Sequence, residues 1–437
     1  MSDSTDRETL ITESLVTAFK PLMTADPHGF RTKFRKMAAD PFAFYRGSAC
    51  IFYADMEALT DAWADESTAR VWIHGDLHAE NFGTYMSSTG SLTFDINDFD
   101  EAYLGHFSWD LRRFVASLAL MCWQKALPEE AVRSLARTYL TSYLDQVDSY
   151  ASDDGDDFAL RLDNTTGTIQ RVLQAARSAR RTDLLDAMTT TEDFQRHFRD
   201  GPLTRRLGDG EHATVLEAFE QYLTTIPETV KSSREVFYSV KDIVGSTGFG
   251  IGSAGLPAYN VLIEGYNEAQ ENDIVLSIKQ GNIAAPSRVV TDERVREYFK
   301  HDGHRTVISQ RSLQVHTDTF LGYTTIDGVG FVVDELSPYK LDLRWGELTE
   351  PSEIEPVLKD LGRATAKIHC ASDQDSDQDL VPFQTEEAII KVVAGRRDEF
   401  IADIIDFSVG YAARVRADHA LFIEAFRENR IAGVAST

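Results

Sequence analysis

Cysteine is nearly missing from this chain of 437 residues: Cys50, Cys122 and Cys370 stand far apart, in no paired or zinc-type spacing. That excludes a disulfide scaffold, and isolated thiols of this kind fit a reducing compartment. Long apolar runs are missing too. The longest, Phe114 to Trp123, is broken by Ser117 and too short to span a bilayer. The opening Met1-Ser2-Asp3-Ser4-Thr5-Asp6 is polar and acidic, with no apolar signal core. Positive charge is scarce, with 44 Lys and Arg against 70 Asp and Glu, a formal net charge of −26. Such a surface repels phosphate backbones and anionic headgroups, so neither nucleic acid nor a membrane is an expected partner; a local basic pocket for a nucleotide stays compatible with it. The expectation is a soluble, cytoplasmic protein. Its 43% hydrophobic and 26% charged residues are globular values, and the length suits two or three domains.

The pattern divides the chain into four parts. Residues 1–150 hold a helical start, two short strands (Val71-Trp72-Ile73 and Leu92-Thr93-Phe94-Asp95-Ile96) and a helix from Trp109 whose apolar residues recur at helical spacing. Residues 151–232 open on acidic Ser152-Asp153-Asp154-Gly155-Asp156-Asp157 and read as a helical insert or subdomain. Residues 233–345 alternate β-branched runs with glycine turns and read as a β-rich domain. Residues 346–437 return to helix.

The strongest chemical signal is His74-Gly75-Asp76-Leu77-His78-Ala79-Glu80-Asn81, directly after the first strand. Its spacing fits the kinase catalytic-loop pattern H-x-D-L-x-x-x-N. A carboxylate there accepts or orients the proton of an attacking hydroxyl, and an amide oxygen five residues on reaches a metal beside it. The second strand runs into Phe94-Asp95-Ile96-Asn97-Asp98-Phe99-Asp100-Glu101. A strand ending in carboxylates is what Mg²⁺ requires, since it takes one or two carboxylates plus phosphate oxygens. Asp95, Asp98 and Asp100 all qualify, and Asp98-Phe99-Asp100 stands where D-F-G would, with aspartate for glycine.

Much later comes Gly245-Ser246-Thr247-Gly248-Phe249-Gly250-Ile251-Gly252-Ser253-Ala254-Gly255, in which Gly250, Gly252 and Gly255 form G-x-G-x-x-G. A dinucleotide fold needs a helix next; Pro257 and the β-run Tyr259–Ile263 follow instead, so the loop joins two strands and can close over a triphosphate. Lys279 ends the next β-run and suits the α- and β-phosphates. Glu293 and Glu297, four apart on one helix face, are alternative partners for it.

These residues resemble aminoglycoside and choline phosphotransferases, which carry H-G-D-L-H-x-x-N, then I-D-W/F, then a D-L-A helix start. Asp98, Gly105 and Trp109-Asp110-Leu111 match that order, and the twelve-residue step from Asp98 to Asp110 suits it better than the fifteen from Asp95. About residues 30–425 also resemble an uncharacterised prokaryotic family designated domain of unknown function 2252, through Asp40-Pro41-Phe42-Ala43-Phe44-Tyr45-Arg46-Gly47, Asn97–Glu101, Ser309-Gln310-Arg311 and Thr317–Gly322.

Kinases place the glycine loop and lysine before the catalytic loop; here they come about 170 residues after it. Leu361–His369 resembles the helix that leads into a phosphotransferase catalytic loop, and Phe331–Leu336 the strand and hinge that hold adenine. Joining the C-terminal part to the N-terminal part restores the usual order. The resemblance therefore implies an α+β, protein-kinase-like two-lobe fold, circularly permuted, with a helical insert. Residues 1–150 and 346–437 form its helical lobe and 233–345 its nucleotide-binding lobe. It implies an ATP/Mg²⁺-dependent phosphotransferase acting on an unknown hydroxyl acceptor. Asp76 orients or deprotonates the acceptor and His74 supports the loop. Asn81 and Asp98 hold Mg²⁺, Lys279 the phosphates, Gly248, Gly250, Gly252 and Gly255 cover them, and backbone at Glu335 and Leu336 meets adenine. Arg46 and Arg112 read as salt-bridge residues or as compensation for substrate charge. A nucleotide-binding regulatory module and an adenylyl transferase are the alternatives. A metallophosphoesterase is remote, since Asp76-x-His78 lacks later G-D-x-x-D and G-N-H segments.

Overall fold

The computed structural model describes residues 2–437 other than 153–157, 235, 247–255, 375 and 377. Gly248, Gly250, Gly252 and Gly255 thus lie outside the described residues. The fold is mixed α+β, with fourteen α-helices and a six-stranded antiparallel sheet among the described residues. The strands are β1 (Val71–Ile73), β2 (Phe82–Met86), β3 (Leu92–Ile96), β4 (Tyr103–Gly105), β5 (Thr189–Glu192), β6 (Gln195–Phe198), β7 (Thr204–Arg205), β8 (Val240–Ser246), β9 (Ala258–Ile263), β10 (Ile274–Gln280), β11 (Gly322–Ile326) and β12 (Val329–Glu335).

The sheet runs β11-β12-β10-β9-β8-β7. Its central strands are buried on both faces, and the period-two pattern shows which residue faces which core. Val261, Ile263, Ile274, Leu276 and Ile278 pack with Val215, Phe219 and Tyr222 of the helix Asp209–Tyr222, whereas Leu262 and Val275 meet Leu185 and Phe198 on the other face. A separate, larger core unites the helices before residue 151 with those after residue 350. Its axis is the helix Phe107–Gln124, buried almost all round. It also holds the helix Pro351–Cys370, packed along Glu129–Tyr150, where Tyr139 Oη donates to Thr365 Oγ1 at 2.8 Å.

The expected helical insert is only partly helical. It contains the hairpin β5–β6, it supplies β7 to the sheet, and its last helix forms one side of the sheet core. The hairpin turns at Asp193 and Phe194, both at positive φ. A turn with two left-handed residues normally advertises itself with Asn-Gly or Asp-Gly, and Asp-Phe carries no such signal.

After β12 the chain lies along β2: Thr84 N donates to Leu341 O at 2.9 Å and Leu343 N to Phe82 O at 3.0 Å. This link joins the sheet to the helical body beside the predicted site. No helix among the described residues is long and apolar enough to cross a membrane.

Candidate functional site

The segment from His74 to Asn81 leaves β1 and is gripped by one face of the helix Phe107–Gln124. Asp110, Arg113 and Ser117 stand three and four residues apart, so they share a face. Asp110 accepts from His74 N at 2.6 Å and Gly75 N at 3.0 Å, Arg113 Nε donates to Asp76 Oδ1 at 2.7 Å, and Ser117 Oγ accepts from Ala79 N at 3.0 Å. Tyr53 Oη donates to Gly75 O at 2.8 Å and Trp345 Nε1 to Ala79 O at 2.6 Å. Buried backbone groups need such partners, and this loop finds them on elements from both halves of the chain. Gly75 has φ +80°, and a side chain there would collide with the Glu101 carbonyl, so only glycine fits.

Asn81 donates from Nδ2 to Asp76 O at 2.9 Å, which leaves its amide oxygen as the atom for a metal. His74 meets Asn97 O through Nε2 at 2.9 Å; a carbonyl only accepts, so Nε2 carries the proton and the ring acts as a brace. Asp76 gives both Arg113 bonds one oxygen, Oδ1, and its Oδ2 lies 3.8 Å from His78 Nε2. Burial, followed by the charges of Arg46 and Arg113, drives the His78 imidazolium well below its usual range, so His78 is neutral. Arg113 is fully buried over the Tyr45 ring, 4.3 Å from its centroid. Burial opposes its charge, and Asp76 outweighs that, raising its pKa.

Of the three aspartates on the second strand and its exit, Asp95 is removed from the cleft. It is buried and paired with Lys367 at 2.5 Å. Asp98 and Asp100 line a small cavity with Asp76, Glu101, Lys33, Arg46, Cys50 and Arg288. Asp98 is exposed, lines the cleft and sits at φ +63°, a conformation aspartate tolerates better than most residues. Burial, then Asp98, pushes Asp100 up to about 6, and burial pushes Glu101 up to about 7. Burial and the mutual repulsion of neighbouring carboxylates thus both disfavour their ionised forms, and a bound cation would offset that. Among the described residues no three such groups stand close enough to enclose a metal. One carboxylate plus the Asn81 oxygen, completed by phosphate oxygens, fits magnesium's habits.

Lys279 lies on β10 opposite Ala258, and its positive charge acts on both Asp98 and Asp100. The end of β10 is tied to the acidic loop by Arg305, a buried residue of the helix Asp302–Leu313. Arg305 Nη2 donates to Asn282 O and Asp100 O, both at 2.7 Å, and Nη1 to Ala102 O at 2.6 Å. A carboxylate beside Lys279 is that of Asp334, at 3.9 Å on the neighbouring strand. Glu293 and Glu297 are exposed on the short helix Glu293–Tyr298.

The region expected to meet adenine is already hydrogen-bonded. Glu335 N donates to Asp318 Oδ2 at 3.0 Å and Leu336 N to Val275 O at 2.9 Å, continuing the β10–β12 ladder. Glu335 also accepts from Arg181. Any base contact therefore falls to carbonyls or to backbone after Leu336. Arg112 bonds Asp61 at 3.2 Å beneath the Phe407 ring, a structural role, and Arg46 pairs with Glu80 at the cleft mouth. Sequence reasoning missed Arg113, Ser117, Arg305 and Lys33; only the polar stripe Asp110, Arg113, Ser117 on an otherwise apolar helix offered a signal.

Fold and site together define an α+β protein in which a helix-braced loop, a carboxylate cluster and the segment that leaves the inner strand β10 share a cleft. Residues 25–425 match the family model described as "Uncharacterized protein conserved in bacteria (DUF2252)", and the chain belongs to that family. No curated protein and no solved structure matches the chain.

Proposed function

We propose that this protein is an ATP- and Mg²⁺-dependent phosphotransferase with a kinase-like, two-lobe arrangement whose chain order is circularly permuted. The observation that carries the reading is the meeting of Asp76 and Asp98 on one cleft, with Asn81 bonded to the Asp76 backbone and Lys279 bearing on Asp98 from the sheet. The order β8-β9-β10-β12-β11, with a glycine segment between β8 and β9 and a helix between β10 and β11, agrees with it. So does His369, on the helix Pro351–Cys370, which reaches Asp110 at 3.3 Å beneath the loop. Permutation is physically cheap where the two ends of the chain are neighbours. Here Arg31 Nε donates to Ala435 O at 2.9 Å and Arg430 Nε to Glu8 at 2.6 Å.

In this reading the acceptor hydroxyl lies against Asp76 Oδ2, because Oδ1 is occupied by Arg113. Its oxygen bonds to the γ-phosphorus while the bond from that phosphorus to the β–γ bridging oxygen breaks. The electron pair leaves with ADP, and the hydroxyl proton passes to Asp76 and then to solvent. Asn81 and Asp98 would hold Mg²⁺, which neutralises charge on the phosphoryl oxygens. A regulatory nucleotide-binding module is the second reading. It is favoured by the committed N–H groups of Glu335 and Leu336 and by Asp334, rather than a helix glutamate, beside Lys279. The deciding experiment supplies α- or γ-labelled ATP with Mg²⁺ and follows the label. Label from the γ position on product, lost at least a hundredfold in Asp76→Asn, is expected. AMP transfer, or turnover unchanged in Asp76→Asn, overturns the proposal.

A further inference from the structure

The cavity beside Asp76 has a second wall that the transfer chemistry does not use. It comes from the helices Pro27–Met37, Pro41–Gly47 and Ala49–Glu57, and Lys33 is its central charge. Lys33 is only 3% exposed, yet among the described residues it forms no ion pair or hydrogen bond. Its ammonium lies 4.0 Å over the Phe19 ring and 5.4 Å from the Phe30 centroid. Those rings hold the stem and orient the charge, but a ring face is a weak substitute for a carboxylate. A buried lysine without an anion is costly, and burial lowers its pKa to about 8 despite the opposing pull of Glu101 and Asp76. A fold keeps such a charge where a ligand completes it.

The placement selects the ligand. Lys279 acts on Asp98 and Asp100, which marks the phosphate-donor side. Lys33 acts on Asp76 and Glu101 instead, which marks the acceptor side. Arg46 and Arg288 line the same cavity, so with Lys33 three cations share it with the carboxylates of Asp76, Asp98, Asp100 and Glu101. The space is about 50 Å³, enough for a small polar group and too little for a polypeptide segment. It adjoins a groove of about 450 Å³ at Cys50, Ala285 and Arg288, where the rest of a small molecule fits.

We propose that this cavity is the acceptor subsite and that Lys33 binds an anionic group, a carboxylate or a phosphate, of a small hydroxyl-bearing molecule. The assignment of the hydroxyl to Asp76 rests on the phosphotransferase reading; the anion site does not.

The test uses the full chain without nucleotide, and titrates glycerate, glycerol 3-phosphate and, as neutral control, glycerol by calorimetry. At least one anion is expected to bind ten times more tightly than glycerol, and the better of the two tells carboxylate from phosphate. Lys33→Met keeps the apolar stem between Phe19 and Phe30 and removes the charge. It should weaken that anion at least tenfold while leaving the melting temperature unchanged or higher, and Lys33→Arg should restore part of the affinity. A merely structural lysine would lose stability on replacement instead. Anions binding no better than glycerol, or equally well to Lys33→Met, would overturn the subsite. The labelled-ATP assay with the same compounds separates the two proposals. Lys33-dependent anion binding without ATP turnover refutes the transfer and leaves the subsite. Turnover with an acceptor KM unchanged in Lys33→Met refutes the subsite and leaves the transfer.

Discussion

Replacing Arg113 by methionine tests whether the loop carrying Asp76 is held by charge or merely by shape. The guanidinium side chain is fully buried and the Asp76 side chain is 15% exposed, so solvent screens the pair weakly. Arg113 gives two hydrogen bonds to Asp76 Oδ1 and a third to Tyr45 O at 3.1 Å. Each charge-assisted bond is worth about 1.5–3 kcal/mol. Methionine saves the cost of burying the cation but leaves Asp76 facing Asp98 and Glu101 with its partner gone. Breaking one side of a buried pair costs about 3–5 kcal/mol, and the acidic surroundings place this pair toward the upper end. Chemical denaturation of Arg113→Met, Asp76→Asn and the double variant measures it. The double variant should lie at least about 1 kcal/mol closer to wild type than the sum of the singles, because removing Asp76 relieves the stranded charge. A loss below about 1 kcal/mol for Arg113→Met, or simple additivity, would refute the clamp.

Two further outcomes follow from the same geometry. Gly75→Ala forces a left-handed residue against the Glu101 carbonyl, so it should cost more than about 2 kcal/mol in denaturation; a variant as stable as wild type would show the loop to be pliable. Asp98→Asn should weaken Mg²⁺-dependent ATP binding at least tenfold with little change in stability, whereas Asp95→Asn should do the reverse, since Asp95 serves Lys367. Calorimetry with and without Mg²⁺, beside thermal unfolding, distinguishes them, and equal effects of the two variants would dissolve the distinction.

The sequence made the loop legible because spacing along a strand exit is itself geometry: Asn81 Nδ2 reaches back to Asp76 O only because the four residues between them turn. The alternating apolar runs likewise announced β9, β10 and β12. What stayed hidden depends on partners far along the chain. Asp95 and Asp98 differ little as letters, and only Lys367, 272 residues from Asp95, separates their roles. Arg113 and Ser117 were hidden inside an apolar helical pattern whose polar stripe faces the protein rather than water. Glu293 and Glu297 misled because i, i+4 spacing identifies a helix face without saying what lies opposite. The expected hinge gave no hint that the β10–β12 ladder extends to Leu336 and consumes its N–H group.

Two long-range ties hold the loop and the acidic turn to distant parts of the chain. The loop is fastened to the later half of the chain through Trp345 at Ala79 and through His369 at Asp110, and Tyr143 Oη braces His369 Nδ1 at 2.8 Å. The acidic turn is fastened to the sheet through Arg305, which spends its donors on the carbonyls of Asn282, Asp100 and Ala102 rather than on a carboxylate. Carbonyls cannot titrate or leave, so this tie holds the end of β10 beside the acidic turn whatever the charge state of the carboxylates. None of these contacts depends on which segment is synthesised first. They depend on the two cores meeting at one cleft, and a chain that preserves those contacts is free to enter and leave the fold elsewhere.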